Sequence, residues 1–237
     1  RWWIRLGSER ERVVTDAAVT ADGGIVLVGW SDDGDRVGDE FGGFLTRVDP
    51  SGSIDWELPW GEMRRPLAVT VTPAGPLVAG KSRADGTKAA DERAPAWLAS
   101  FTPGGDRRWE QSYPHGVGDS FDAVVTTPAG VVAGGQTGTY APRTPDGGER
   151  VFGTESWLLA ADSDGTERWR RTHYGDGCRS LVADDTGAAR YVTNARVCWL
   201  APDGCETNTE YYYADRGSFD SLDSIASTEA SRGRDGS

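Results

Sequence analysis

Apolar residues fall in short runs rich in Val, Ala and Ile, bounded by turn residues. Four stretches share one form, two such runs around a glycine-bearing turn: DAAVTADGGIVLVGW (16–30), LAVTVTPAGPLVAG (67–80), DAVVTTPAGVVAGG (122–135) and SLVADDTGAARYVTN (180–194). Each predicts a β-hairpin, because turns such as Asp22-Gly23-Gly24 and Pro-Ala-Gly supply the positive φ of a tight connection. The continuous character of the runs suits strands covered on both faces.

A longer polar segment follows each of the first three hairpins. Then comes a recurring phrase: FLTRVDPSGSIDW (44–56), WLASFTPGGDRRW (97–109) and WLLAADSDGTERW (157–169). An aromatic-Leu pair leads to a turn glycine (Gly52, Gly105, Gly165), and a Trp stands four residues later. With Trp3, the markers Trp56, Trp109 and Trp169 are spaced by 53, 53 and 60 residues. A period near 50 built from short strands predicts an all-β chain, a β-propeller of four-stranded antiparallel blades with four units visible. Taking each unit from its Trp gives WIRLG (3–7), WELPWG (56–61), WEQSYPHG (109–116) and WRRTHYG (169–175) as first strands. The units are then 3–55, 56–108, 109–168 and 169–207. A bulky aromatic at a fixed place in every unit is expected to fill the gap to the next blade, a packing role.

The fourth phrase is worn, CWLAPDGCETN (198–208), with Asn208 in the Trp place. RGSFDSLDSIAST (216–228) echoes GDSFDAVVTT (118–127) and suggests that a fifth unit begins there. Propeller repeats are therefore expected over 1–215. Residues 216–237 are read as the start of a decayed or truncated unit with a disordered, Ser-, Arg- and Gly-rich tail. A piece of a larger propeller is the favoured reading, and a small four-bladed one the alternative.

Composition narrows the partners. The net charge of −12 argues against nucleic acid, which calls for clustered Lys and Arg. Only two of the 25 basic residues are lysines, Lys81 and Lys88. That bias fits a halophilic, acid-coated protein or a GC-rich genome. No run of apolar residues is long enough to be a transmembrane segment.

Cys178, Cys198 and Cys205 match no zinc spacing. A local disulfide between Cys178 and Cys198 would staple the worn unit and point to an oxidising compartment. Three small buried side chains are the other reading. His115 and His173, the only histidines, end first strands at different offsets from their Trp and are expected to cap turns. The acids of 31–40 and of Asp162-Ser163-Asp164-Gly165 are expected to be solvated or turn-forming, with Ca²⁺ the lesser reading. No nucleophile-elbow or phosphate-loop motif occurs.

The three phrases resemble the repeats of the PQQ-like, or quinoprotein-dehydrogenase-like, β-propeller superfamily. In that family an Ala-x-Asp-turn-Gly-x-x-x-Trp segment docks one blade on the next, and Ala160, Asp162, Gly165 and Trp169 match it best. The Gly stands one residue closer to the Asp than in the enzymes, and Thr102 replaces the Asp in one copy. A closer likeness is to repeats of uncharacterised bacterial and haloarchaeal propellers, many of them secreted or surface-attached. The resemblance implies blade docking by Trp3, Trp56, Trp109 and Trp169 with Gly52, Gly105 and Gly165. Quinoproteins hold PQQ beside Ca²⁺ and a disulfide of adjacent cysteines, a pair this sequence lacks.

The expected function is a non-enzymatic, extracytoplasmic scaffold without a cofactor, binding protein or carbohydrate. The long loops 31–43, 81–96 and 136–156 are the expected contact surface, and excision of 136–156 is expected to spare the fold. A fragment of a PQQ-dependent oxidoreductase and a spacer segment of a large surface protein are the alternatives.

Overall fold

The computed structural model describes residues 11–32, 42–62, 64–82, 94–140, 151–174 and 177–211. Over these the chain is all-β, with sixteen strands in four antiparallel four-stranded sheets. The first sheet holds β1 (Glu11–Val19), β2 (Ile25–Asp32), β3 (Gly42–Val48) and β4 (Ile54–Glu62). The second holds β5 (Arg64–Thr72), β6 (Gly75–Ser82), β7 (Ala96–Phe101) and β8 (Arg107–Tyr113). The third holds β9 (Val117–Thr127), β10 (Gly130–Tyr140), β11 (Val151–Ala161) and β12 (Glu167–Tyr174). The fourth, with the shortest strands, holds β13 (Ser180–Ala183), β14 (Ala189–Val192), β15 (Arg196–Leu200) and β16 (Glu206–Tyr211).

All four predicted hairpins form, as β1–β2, β5–β6, β9–β10 and β13–β14. The sheets are nevertheless cut at a different phase from units that start at the Trp. Trp56, Trp109 and Trp169 lie in the last strand of a sheet, paired with Arg47, Ser100 and Ala160 of the strand before. The turn ahead of each Trp explains this. Asp49 N–H donates to Ser53 O at 2.8 Å, and Thr102 and Asp162 repeat the bond to Asp106 and Thr166. Such a turn reverses the chain within four residues and returns the Trp strand onto its predecessor. Asn208 pairs with Trp199 in the same register, so it occupies the marker place in the fourth sheet.

The sheets stack face to face, because strands covered on both sides alternate their side chains between two seams. The first seam holds Val26, Val28, Leu45 and Trp60 of the first sheet against Val69, Val78, Trp97 and Phe101 of the second. The next packs Leu77, Leu98 and Tyr113 against Phe121, Val131, Trp157 and Leu159. The last packs Val132, Leu158 and Ala160 against Leu181, Tyr191, Cys198 and Leu200. Neighbouring first strands touch, β1 with β5, β5 with β9 and β9 with β13. The β1 carboxylate Asp16 accepts the Val69 N–H of β5 at 2.8 Å. Among the described residues the row of sheets is not closed into a ring. Trp3 and the segment 216–237 lie outside them.

Candidate functional site

Strand order divides the molecule into two rims. The turns between first and second strands and between third and fourth leave by one rim. The second-to-third connections and the links from sheet to sheet leave by the other.

The turn rim repeats one device three times. The indole Nε1 of Trp56 donates to Pro103 O of the next sheet at 3.1 Å. Trp109 donates to Ser163 O at 2.8 Å and Trp169 to Pro202 O at 3.0 Å. Each acceptor stands two residues before a turn glycine with positive φ: Gly105 at +94°, Gly165 at +88° and Gly204 at +81°. A Cβ on any of these would meet the ring, at 3.2, 2.9 and 2.8 Å respectively. Glycine is therefore required twice over, by conformation and by the ring lying on the turn. Gly52 has the same conformation, φ +92°. Gly204 escaped the sequence reading, because the worn phrase around it ends in Asn208.

Towards the other rim, each of the first three sheets carries a buried aromatic on its third strand: Phe44, Trp97 and Trp157, the first residues of the aromatic-Leu pairs. Each sits opposite a glycine of the second strand, Gly29, Gly80 and Gly135. In the first two sheets an arginine of the first strand caps the ring, Arg12 at 5.1 Å from Phe44 and Arg64 at 5.6 Å from Trp97. Those arginines also reach the residue after the marker Trp: Arg12 pairs with Glu57 at 2.7 Å and Arg64 with Glu110 at 2.9 Å. The Glu57 carboxyl is held below its usual range by the Arg12 hydrogen bonds.

The third sheet reverses the charges. Asp119, two residues before Phe121, takes the place of Arg12 and Arg64, which stand two before Val14 and Pro66. Arg170 stands where Glu57 and Glu110 do, one residue after the Trp. The His115 ring, rather than a first-strand guanidinium, stacks on Trp157, 5.0 Å away and within 2° of parallel. His115 Nε2 lies 2.9 Å from Thr172 Oγ1, and Arg170 lies beside Nδ1 at 3.4 Å. Asp119 is buried and accepts from the His115 N–H at 2.8 Å, the Gly116 N–H at 2.9 Å and the Thr137 hydroxyl at 2.6 Å. Arg170 is fixed by a bidentate pair with Glu167 at 2.7 and 2.5 Å. The cluster thus holds an exposed imidazole in place, stacked on Trp157 with Thr172 and Arg170 at its two ring nitrogens. Sequence could have flagged Arg170 by its place after Trp169. Asp119 shares its position with residues of opposite charge and only register finds it.

His173 is elsewhere and is no turn cap. It lies four residues after Trp169, as Trp60 and Tyr113 follow Trp56 and Trp109, and so faces the third seam, 5.6 Å from Tyr191. Burial lowers its pKa, although Glu206 Oε2 lies 3.1 Å from Nδ1. Among the described residues no three or more His, Cys, Asp or Glu are grouped to hold a metal ion. Asp162 and Asp164 serve their turn, Asp162 closing it and Asp164 accepting the Thr166 N–H at 3.0 Å. Most of the acidic segment 31–40 lies outside the described residues.

The expected disulfide is not formed: Cys178 and Cys198 are free thiols buried in the third seam, while Cys205 is free and exposed. Cys178 is held by its backbone, whose N–H donates to Gly135 O at 2.8 Å, and its thiol reaches Ser180 O at 3.5 Å. Burial pushes that thiol's pKa far up. The second reading, small buried side chains, holds for two of the three. These cysteines do not make the adjacent pair that supports the quinone in quinoproteins.

The loop boundaries also change. Strands β10 and β11 run to Tyr140 and from Val151, so much of 136–156 is strand, including buried Thr137 and Ser156. Among the described residues no helix is long and apolar enough to cross a membrane.

No protein-family model matches the sequence, and no curated protein matches it. Solved structures do. A protein of unknown function from Bacteroides caccae is similar with a TM-score of 0.55 at 12% identity, over 89% of this chain and 64% of that one. The WD40 domain of Pan2 from Neurospora crassa follows at 0.51 and 13% identity, over 90% and 56%. At such identities the likeness shows the fold alone, the stacked four-stranded antiparallel sheets of a β-propeller. The chain spans less than two thirds of the length of either structure.

Proposed function

We propose that the chain is a propeller scaffold that binds a partner protein through the rim carrying its long connections. The contrast between the rims carries this reading. The turn rim spends its Trp, Gly and carbonyl groups on one repeated contact between sheets. The connections 33–41, 83–93 and 141–150 on the other share no residue pattern with one another, and variable segments on a rigid frame are where specificity resides. His115, Arg170 and Thr172 extend that surface across the third sheet. The recurring Trp-to-turn bond supports grouping the repeats with the quinoprotein-like propellers for architecture, and an extracytoplasmic setting belongs to the same proposal. Replacing the three connections singly with Gly-Ser links of equal length is the test. A partner captured by the unaltered protein should be lost with at least one replacement. Full retention by all three would refute the assignment.

A further inference from the structure

A cleft of about 290 Å³ opens on the turn rim between the first and second sheets, on the side away from the long connections. Its walls are Val26 and Ala21 on one side and Val71, Pro73, Pro76 and Pro103 on the other. The seam explains the gap. Trp56, Trp60, Trp97 and Phe101 fill the seam between these sheets, whereas the residues around the cleft, Arg47 apart, carry short side chains. The cleft is near the lower limit of small-ligand sites and fits one or two side chains.

Its polar lip is asymmetric. Arg47 lines the cleft and is shared by two carboxylates, Asp22 and Asp55 at 3.3 Å, so the lip carries a net negative charge. Asp22 keeps more than half of its side chain exposed. The Thr20 hydroxyl and the Gly24 N–H hold its carboxyl below the usual range.

We infer that this cleft docks an extended peptide of a partner protein in which an apolar side chain is followed by a lysine or arginine. The apolar group enters between Val26 and Val71, and the basic side chain meets Asp22. The overall charge of −12 favours the same sign of partner. The site is independent of the long connections, so it stands or falls separately from the partner surface proposed above.

The probes are N-acetyl-Leu-Lys-amide and N-acetyl-Leu-Glu-amide, titrated at low salt while the Val26 and Val71 methyl signals of the full chain are followed by NMR. The lysine peptide should shift both saturably and bind about tenfold more tightly than the glutamate peptide. Asp22→Asn should reduce that preference, and Val71→Phe should abolish the shifts. If the phenylalanine variant does not fold, the two peptides on the unaltered protein still decide. Equal binding of both, tighter binding of the glutamate peptide, or unmoved Val26 and Val71 methyls would overturn the inference.

Discussion

Gly165, with φ +88°, lies so close to the Trp109 ring of the preceding sheet that a Cβ there would stand 2.9 Å from it. Two costs therefore fall on Gly165→Ala: the left-handed conformation, about 1–2 kcal/mol for an L-residue, and displacement of the indole. Gly118 separates them, since its φ is +62° and nothing stands within 4 Å of its Cβ position. Gly165→Ala should lower the urea midpoint more than Gly118→Ala, by a further ~1 kcal/mol or more at unchanged slope. Equal losses would mean that the ring contact contributes nothing.

Removing the ring's own hydrogen bond probes the seam from the other side. Trp109→Phe keeps an aromatic against the turn but loses the donor to Ser163 O, 2.8 Å away. Ser163 is exposed and regains water, so a loss of about 1 kcal/mol is expected. Trp109→Ala also removes the filling of the seam and should cost about 3 kcal/mol. The ordering Ala well below Phe, read by chemical unfolding, checks that packing exceeds the hydrogen bond in this contact.

The legible parts of this fold were those written locally. Asp22-Gly23-Gly24 and the Pro-Ala-Gly turns fix their hairpins through a few neighbouring φ angles, and the worn phrase 198–208 put Asn208 in the marker position, where it pairs with Trp199. The phase of the sheets was not legible, because a period tells how far apart equivalent residues lie and not which strands pair. Trp56 looks equally well like the start of one unit or the end of another until it is seen opposite Arg47. The cluster around Trp157 was hidden for a related reason: its equivalence to Arg12–Phe44–Glu57 appears only in register, with the charges exchanged. Cys178 and Cys198 are twenty residues apart, a spacing compatible with a bridge or with two buried thiols, and only burial separates these.

Corrected strand limits alter what can be cut from the third sheet. Replacing 141–150 with a short Gly-Ser link spares every residue of β10 and β11, and the melting temperature should stay close to that of the unaltered chain. Excision of 136–156 removes Thr137, whose hydroxyl bonds the buried Asp119 at 2.6 Å, together with the strand residues above it. That leaves a buried carboxylate short of a donor and opens the sheet. Circular dichroism melts of the two variants should differ sharply, with cooperative unfolding retained only in the shorter cut.

His173 predicts a pH dependence of definite sign. Burial in the third seam holds its pKa below the unfolded value of about 6.5. The unfolded chain therefore binds the proton more readily, and the contribution of neutral His173 is fully present above pH ~6.5 and declines as pH falls below it, levelling off once the folded-state pKa is passed. His173→Tyr, which copies Tyr113 of the preceding sheet, should abolish this component. Melting temperatures of both proteins between pH 7.5 and 5.5 should diverge towards acid, with the unaltered protein losing more. Parallel curves would show that His173 titrates alike in folded and unfolded states.

The three thiols should react in two classes. Cys205 is exposed and should be modified by a thiol reagent in the native protein at once, whereas Cys178 and Cys198 are enclosed in the third seam. Cys178 is further protected because burial raises its pKa, keeping the nucleophilic thiolate scarce. Without reductant, one thiol should titrate in buffer and all three in denaturant. A count of one in both conditions would establish the Cys178–Cys198 bridge instead and would return the fourth sheet to the stapled form.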